Sequence, residues 1–207
     1  MGNYHQISKM PIDFTILWLR ERWSWQGQHS GYDQLCETIP RLQPGKYLSV
    51  IREQSDKRYP KGIAHVLYRL YTSVESSPNY TLQSTAAEIK VLWKSFWHRP
   101  LLVHPTYVEN HLGILPNWRE RLSFKIVSTA HQPPSWWKLQ HRYPEMLSSL
   151  DALIVLASQN VSFFEKYLPG RVYFIPYGID TVFFHPRDKA LSRINDSDAP
   201  RCVFAGF

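Results

Sequence analysis

At 207 residues the chain is long enough for one large domain or two small ones with a buried core. It is 43% hydrophobic and 20% charged, which excludes a disordered tail or a membrane bundle. Its longest apolar run, Ala152 to Ala157, is far short of the ~20 residues that cross a bilayer.

Lys and Arg number 24 against 17 Asp and Glu, a net charge of +7, so anionic partners come first into view. Basic residues are scattered, however, with one dense group at Arg52, Lys57, Arg58 and Lys61. No helix carries a Lys/Arg stripe and no zinc-finger or RNP spacing is present, so nucleic acid is not an expected partner. Met1 to Gln6 hold no apolar stretch of the kind a secretory signal needs, and Gln6 stands where a myristoylation motif has Ser or Thr. Cys36 and Cys202 make neither a disulfide framework nor a metal cluster. The expected location is therefore the cytoplasm, and no metal or cofactor is expected.

Taken in order, Phe14–Leu19 is a short run of β-formers that the charged Arg20, Glu21 and Arg22 should end. A loop through Gly27 and Gly31 leads to a short helix from Tyr32 to Ile39, then a strand at Tyr47–Ile51. Ile63, Val66, Leu67, Leu70, Tyr71 and Val74 share one helical face. Ile89, Leu92, Trp93, Phe96 and Trp97 repeat that spacing in a second helix stopped before Pro100. The periodicity favours a core-facing stripe here. Lys90 and Lys94 between the tryptophans keep a second reading open, an anionic membrane surface with the protein peripheral to it.

Leu101–His104 and Phe124–Thr129 are brief strands, and Trp136–Leu150 is helical with a break at Pro144. Ala152–Leu156 reads as a buried strand, after which Ser158 can cap a helix bearing Val161, Phe164 and Leu168, with Gly170 as its stop. Val172–Ile175 is the sixth strand. Residues 187–201 turn polar and read as a linker, and Cys202–Ala205 is one further apolar strand.

Strand and helix in alternation predict an α/β chain, a Rossmann-like parallel sheet with helices on both faces. Ligands of such sheets bind along the carboxyl edge of the strands. Ser30-Gly31, His104, His131, Ser158 and Tyr177-Gly178 all follow predicted strands and so fall on that edge. Each has a plainer explanation: a lone glycine is often just a turn, and a lone histidine is more often structural than catalytic. Their convergence on one rim is what points to a site. There is no dinucleotide or Walker glycine loop, no G-x-S-x-G elbow and no paired-carboxylate motif, which disfavours a hydrolase.

Ile175-Pro176-Tyr177-Gly178-Ile179-Asp180-Thr181, followed by Phe184 and Pro186, resembles the hinge segment of GT-B glycosyltransferases of the retaining family 4 type, with Tyr177 where that family usually has Asn. Ser30-Gly31 is similar to its Gly-Gly loop, Thr129-Ala130-His131 to its Thr-x-His strand end, and Ala152 to Ser158 to its strand ending in Ser. Val203-Phe204-Ala205-Gly206 is similar to the opening strand of its second domain. The resemblance implies an acceptor-side domain over residues 1–186, a linker over 187–201, and the first strand of a donor-binding domain over 202–207. It implies sugar transfer, with retention, from a nucleotide-sugar donor to a glycan, lipid or small-molecule acceptor. The donor-side half, with its paired-Glu motif, would follow Phe207, and the 207 residues alone would be inactive.

By the same resemblance His131 is the catalytic residue at the transferred sugar, Gly31 meets the donor diphosphate through its amide, and His104 lines the acceptor pocket. Ser30, Ser158, Tyr177 and Gly178 complete the substrate-binding set. A stand-alone acceptor-binding subunit, or a sugar-phosphate-binding Rossmann-like protein with no transferase role, are the other readings.

Overall fold

The computed structural model describes residues 15–22, 32–52, 61–72, 78–100, 102–140 and 143–178. Six parallel strands form one sheet: β1 (Thr15–Glu21), β2 (Lys46–Arg52), β3 (Leu102–Pro105), β4 (Lys125–Ala130), β5 (Ala152–Val155) and β6 (Val172–Phe174). Their order is β2-β1-β3-β4-β5-β6. The chain winds outward from β1 to β2, returns across β1, and winds the other way from β3 to β6. The reversal lies between β1 and β3, the place where doubly wound sheets open a crevice at their carboxyl ends. This is the expected α/β, Rossmann-like architecture.

Strand β1 is central and buried along both faces. Its even residues Ile16 and Trp18 meet Cys36 of α1 (Leu35–Leu42), whereas Leu17 and Leu19 join the main core with Ala87 and Val91 of α3 (Leu82–His98). Helices thus cover both faces, as the strand's alternation requires. Burial lifts the Cys36 thiol to about 12, so it packs as a small apolar group.

The charged end of β1 departs from expectation. Arg20 and Glu21 extend the strand and are buried, because each finds partners on its own side of the sheet. Arg20 is bonded to the Asp33 carboxylate and, at 3.0 Å, to Glu37, and those bonds raise its pKa. Glu21 lies 2.7 Å from both Arg52 Nε and His111 Nε2. Burial pushes its carboxyl up, but His111 and Arg52 together outweigh that and hold it below the usual range.

A second departure concerns the helix faces. Val66 and Leu70 of α2 (Lys61–Thr72) are each 59% exposed. On α3 the expected stripe is split: Ile89 and Leu92 are half-buried, with Leu92 against the core, but Trp93, Phe96 and Trp97 are 67%, 61% and 63% exposed, while Ser84, Ala87, Glu88, Val91 and Ser95 face inward. Small and polar residues let α3 lie close over the sheet and leave its large rings outside. Its start is fixed by a capping box between Thr81 and Ser84, to which Arg52 Nη1 also bonds at 3.2 and 3.4 Å.

Helix α4 (Leu115–Leu122) has no counterpart among the elements expected from the sequence. Its entry is organised by Glu88, whose two carboxylate oxygens accept the N–H groups of Leu112, Gly113, Ile114 and Leu115 at 2.6–3.2 Å. Tyr80 donates its hydroxyl to the same carboxylate at 3.3 Å. A side chain at Gly113 would put its Cβ 2.2 Å from the Tyr80 ring, so the glycine is sterically required.

The 136–150 region forms two short helices, α5 (Pro134–Trp137) and α6 (Tyr143–Ser148), in keeping with the break expected near Pro144. Ser158 does not cap its helix. It opens a single 3-10 turn ahead of α7 (Val161–Phe164), while Phe164 and Leu168 are buried as expected and Gly170 turns the chain at φ +67°. The chain divides into the units Met1–Tyr177 and Gly178–Phe207. The expected linker and the strand at Cys202–Ala205 lie outside the described residues.

Candidate functional site

The candidate site lies one strand away from the reversal between β1 and β3, where β3 and β4 part. They pair only at Leu102–Lys125 and Val103–Ile126, after which Pro105 has no N–H to continue the ladder. Side chains then bridge the parting strands: Ser128 Oγ donates to the Pro105 carbonyl at 2.6 Å, and His104 Nε2 lies 3.1 Å from Thr129 Oγ1. On its other flank β3 stays closed to β1, where Thr106 gives both its N–H and its hydroxyl to the Leu19 carbonyl, at 2.9 and 3.1 Å.

His131 follows β4 at this opening and is half-buried. Its ring stacks on Tyr107 at 3.7 Å and 16°, and its Nε2 lies 2.9 Å from the Thr106 carbonyl. A carbonyl can only accept, so Nε2 carries the hydrogen and Nδ1 is the basic nitrogen. Burial pulls the His131 pKa down to about 4, leaving a neutral imidazole at pH 7.

Beneath it, Glu109 Oε1 accepts the backbone N–H groups of His131 and Gln132 at 2.7 and 2.8 Å. Glu109 Oε2 is buried without a hydrogen-bond partner among the described residues. Burial lifts this carboxyl to about 7, against the pull of the two N–H donors. The phenol of Tyr107 is raised first by burial and then by the nearby phenol of Tyr177, which brings Tyr177 into the same neighbourhood. Tyr177 is itself raised by burial.

The other expected site residues fare differently. His104 is 5% exposed and packs its ring 4.8 Å from Trp18, so it is a buried side chain beneath the rim. Its pKa falls to about 3, first through burial and then through His131. Ser158 is exposed at the end of the loop after β5. Gly178 is exposed, and a Cβ there would meet nothing within 4 Å. Ser30 and Gly31 lie outside the described residues. Among the described residues no three or more His, Cys, Asp or Glu side chains are grouped to hold a metal ion, and no helix is long and apolar enough to cross a membrane.

Glu109 and Tyr107 are the functional candidates that sequence reasoning passed over. The signal was present, since both stand in the five residues after His104, directly past a strand's carboxyl end.

The buried histidines set a direction for stability against pH. Their folded pKa values, about 3 and about 4, lie below the ordinary 6.5, so their contribution is complete above pH 6.5 and drains as pH falls toward those values. Glu109 runs oppositely: its raised pKa costs stability as pH climbs from 4.5 to about 7, and acid relieves that. Two groups outweigh one, so the urea midpoint should drop by ~1 M between pH 6.5 and 4. His104→Gln should flatten that slope, and an unchanged slope would show that His104 is charged in the fold.

The fold and the rim define an α/β protein with a Rossmann-like parallel sheet and a group of polar side chains past the carboxyl ends of β3 and β4. No protein-family model matches the chain, and no curated protein matches its sequence.

Proposed function

We propose that the chain is the amino-terminal, acceptor-side half of a retaining GT-B glycosyltransferase of the family 4 type, which uses a nucleotide-sugar donor. The observation that carries this reading is His131. It ends β4 at the opening of the sheet, with its backbone clamped by Glu109 and its ring fixed by Tyr107 and Thr106. A neutral, oriented imidazole suits a hydrogen bond to a hydroxyl of the sugar being transferred. It adds no positive charge beside a sugar centre that itself becomes cationic as the bond to the leaving diphosphate breaks.

In this reading His131 touches the sugar, and Glu109, Tyr107 and Thr106 hold it in place. The resemblance assigns the diphosphate to Ser30-Gly31 and substrate contacts to Ser158, Tyr177 and Gly178, and these assignments rest on the sequence. A second α/β half supplies the remaining grip on the leaving group, because one wall of an open cleft leaves the diphosphate to water. The acceptor is a glycan, a lipid or a small hydroxylated molecule.

The test is release of nucleoside diphosphate from a panel of nucleotide sugars. The 207 residues alone should give background, and the chain joined to or mixed with its second half should turn over. Robust turnover by the 207 residues alone would end the half-enzyme reading. Sugar-phosphate binding without turnover in the completed protein would end the transferase reading.

A further inference from the structure

We propose that the carboxyl-terminal half of α3, with the end of α4, is a docking face for an anionic phospholipid membrane. This face is independent of any transferase activity. Trp93, Phe96 and Trp97 form one exposed aromatic patch, with Trp97 edge-on to Trp93 at 5.9 Å and to Phe96 at 5.4 Å. Three large rings in water on one helix turn and a half are costly unless something covers them.

The charges that α3 sets around the rings are basic, and the end of α4 adds Arg121 beside the exposed Glu120. Glu88 is the only acidic residue of α3, and it is buried beneath the helix in the entry to α4. Lys90, His98 and Arg99 are exposed beside the rings and Lys94 is half-exposed. From α4, Arg121 lies over the ring of Trp118 at 5.3 Å. Between the two helix ends runs a groove of about 550 Å³ lined by Phe96, Trp97, Arg99, Arg121 and Leu122. Phe96, Trp97 and Leu122 beside two arginines suit a phosphodiester headgroup above its glycerol and acyl carbons.

Charge selects the occupant. A second copy docked by a two-fold axis would set the patch bearing Lys90, Lys94, Arg99 and Arg121 against the same basic patch of its partner, which repels it. An anionic bilayer instead attracts each of them, and the net charge of +7 steers the whole chain toward it. Tryptophan, apolar in body with one N–H, is the side chain that settles at that interface. Because α3 leads into β3 at the amino edge of the sheet, docking there leaves the carboxyl edge and His131 uncovered.

Sedimentation of the 207-residue chain with vesicles tests this, using phosphatidylcholine alone and phosphatidylcholine mixed with phosphatidylglycerol. Pelleting with the mixed vesicles only, weakening as salt rises, with a blue shift of tryptophan emission, is the expected result. Lys90→Glu/Lys94→Glu and Trp93→Ser/Trp97→Ser should each cut the bound fraction by ~10-fold or more while their melting curves stay those of the parent. Equal pelleting with both vesicle types, or anionic binding that survives both double substitutions, would overturn the proposal. So would self-association abolished by Trp93→Ser/Trp97→Ser without any vesicle binding, which would give the patch to a second copy.

Discussion

Glu88→Ala is expected to cost about 4 kcal/mol or more of folding stability. The carboxylate is fully buried and takes four consecutive backbone N–H groups, those of Leu112 to Leu115. Removing it leaves four donors with no acceptor at a site that water does not reach, each costing ~1 kcal/mol or more. The positive end of the α4 dipole loses its counter-charge as well. Set against the ~5–15 kcal/mol that holds an ordinary domain, this leaves a large unfolded fraction at 37 °C. Glu88→Gln keeps one accepting oxygen but turns an NH2 toward the other donors, so an intermediate loss is expected. Urea titration followed by circular dichroism measures both. An alanine variant within ~1 kcal/mol of the parent would mean that the 112–115 turn finds other acceptors.

That same carboxylate shows where legibility in the sequence stops. All six strands are readable from short runs of β-formers, because a parallel strand buried on both faces needs little besides apolar residues. Helix α4 is not, since its sequence Leu-Pro-Asn-Trp-Arg-Glu-Arg-Leu is half polar and starts on a capping group 27 residues upstream of Leu115. The face of α3 misleads for a related reason. Periodicity gives the spacing of the large residues, but not which side of the helix a sheet will choose when the opposite side offers Ala87, Ser84 and Ser95 for close approach. Likewise Arg20 and Glu21 look like the end of a strand until Asp33, His111 and Arg52 are brought beside them by the fold.

At the rim, His131 was legible as the residue after a strand, and its position carries over. What holds it was not. Glu109 reaches it across 22 residues of sequence, and Tyr107 is joined to it only by stacking. His104 was legible as a strand-end histidine, yet β-strand alternation turns it toward Trp18 and Thr129.

Under the proposed transferase reading, His131→Ala in the completed protein should lower turnover ~10²-fold while leaving the fold in place. Glu109 binds the backbone N–H of position 131 and not its side chain, so alanine leaves the loop clamped and removes only the imidazole. On that reading what is lost is one oriented hydrogen bond at the sugar. The loss should appear in kcat more than in KM if the contact tightens as the leaving group departs. His104→Gln, which sits below and touches no substrate in this reading, should cost less than His131→Ala does. A pH profile separates the imidazole's part from a structural one. Because His131 is neutral down to about 4, kcat should show no limb near pH 6.5 arising from this residue. Turnover of His131→Ala within a factor of two of the parent would reduce His131 to a structural residue.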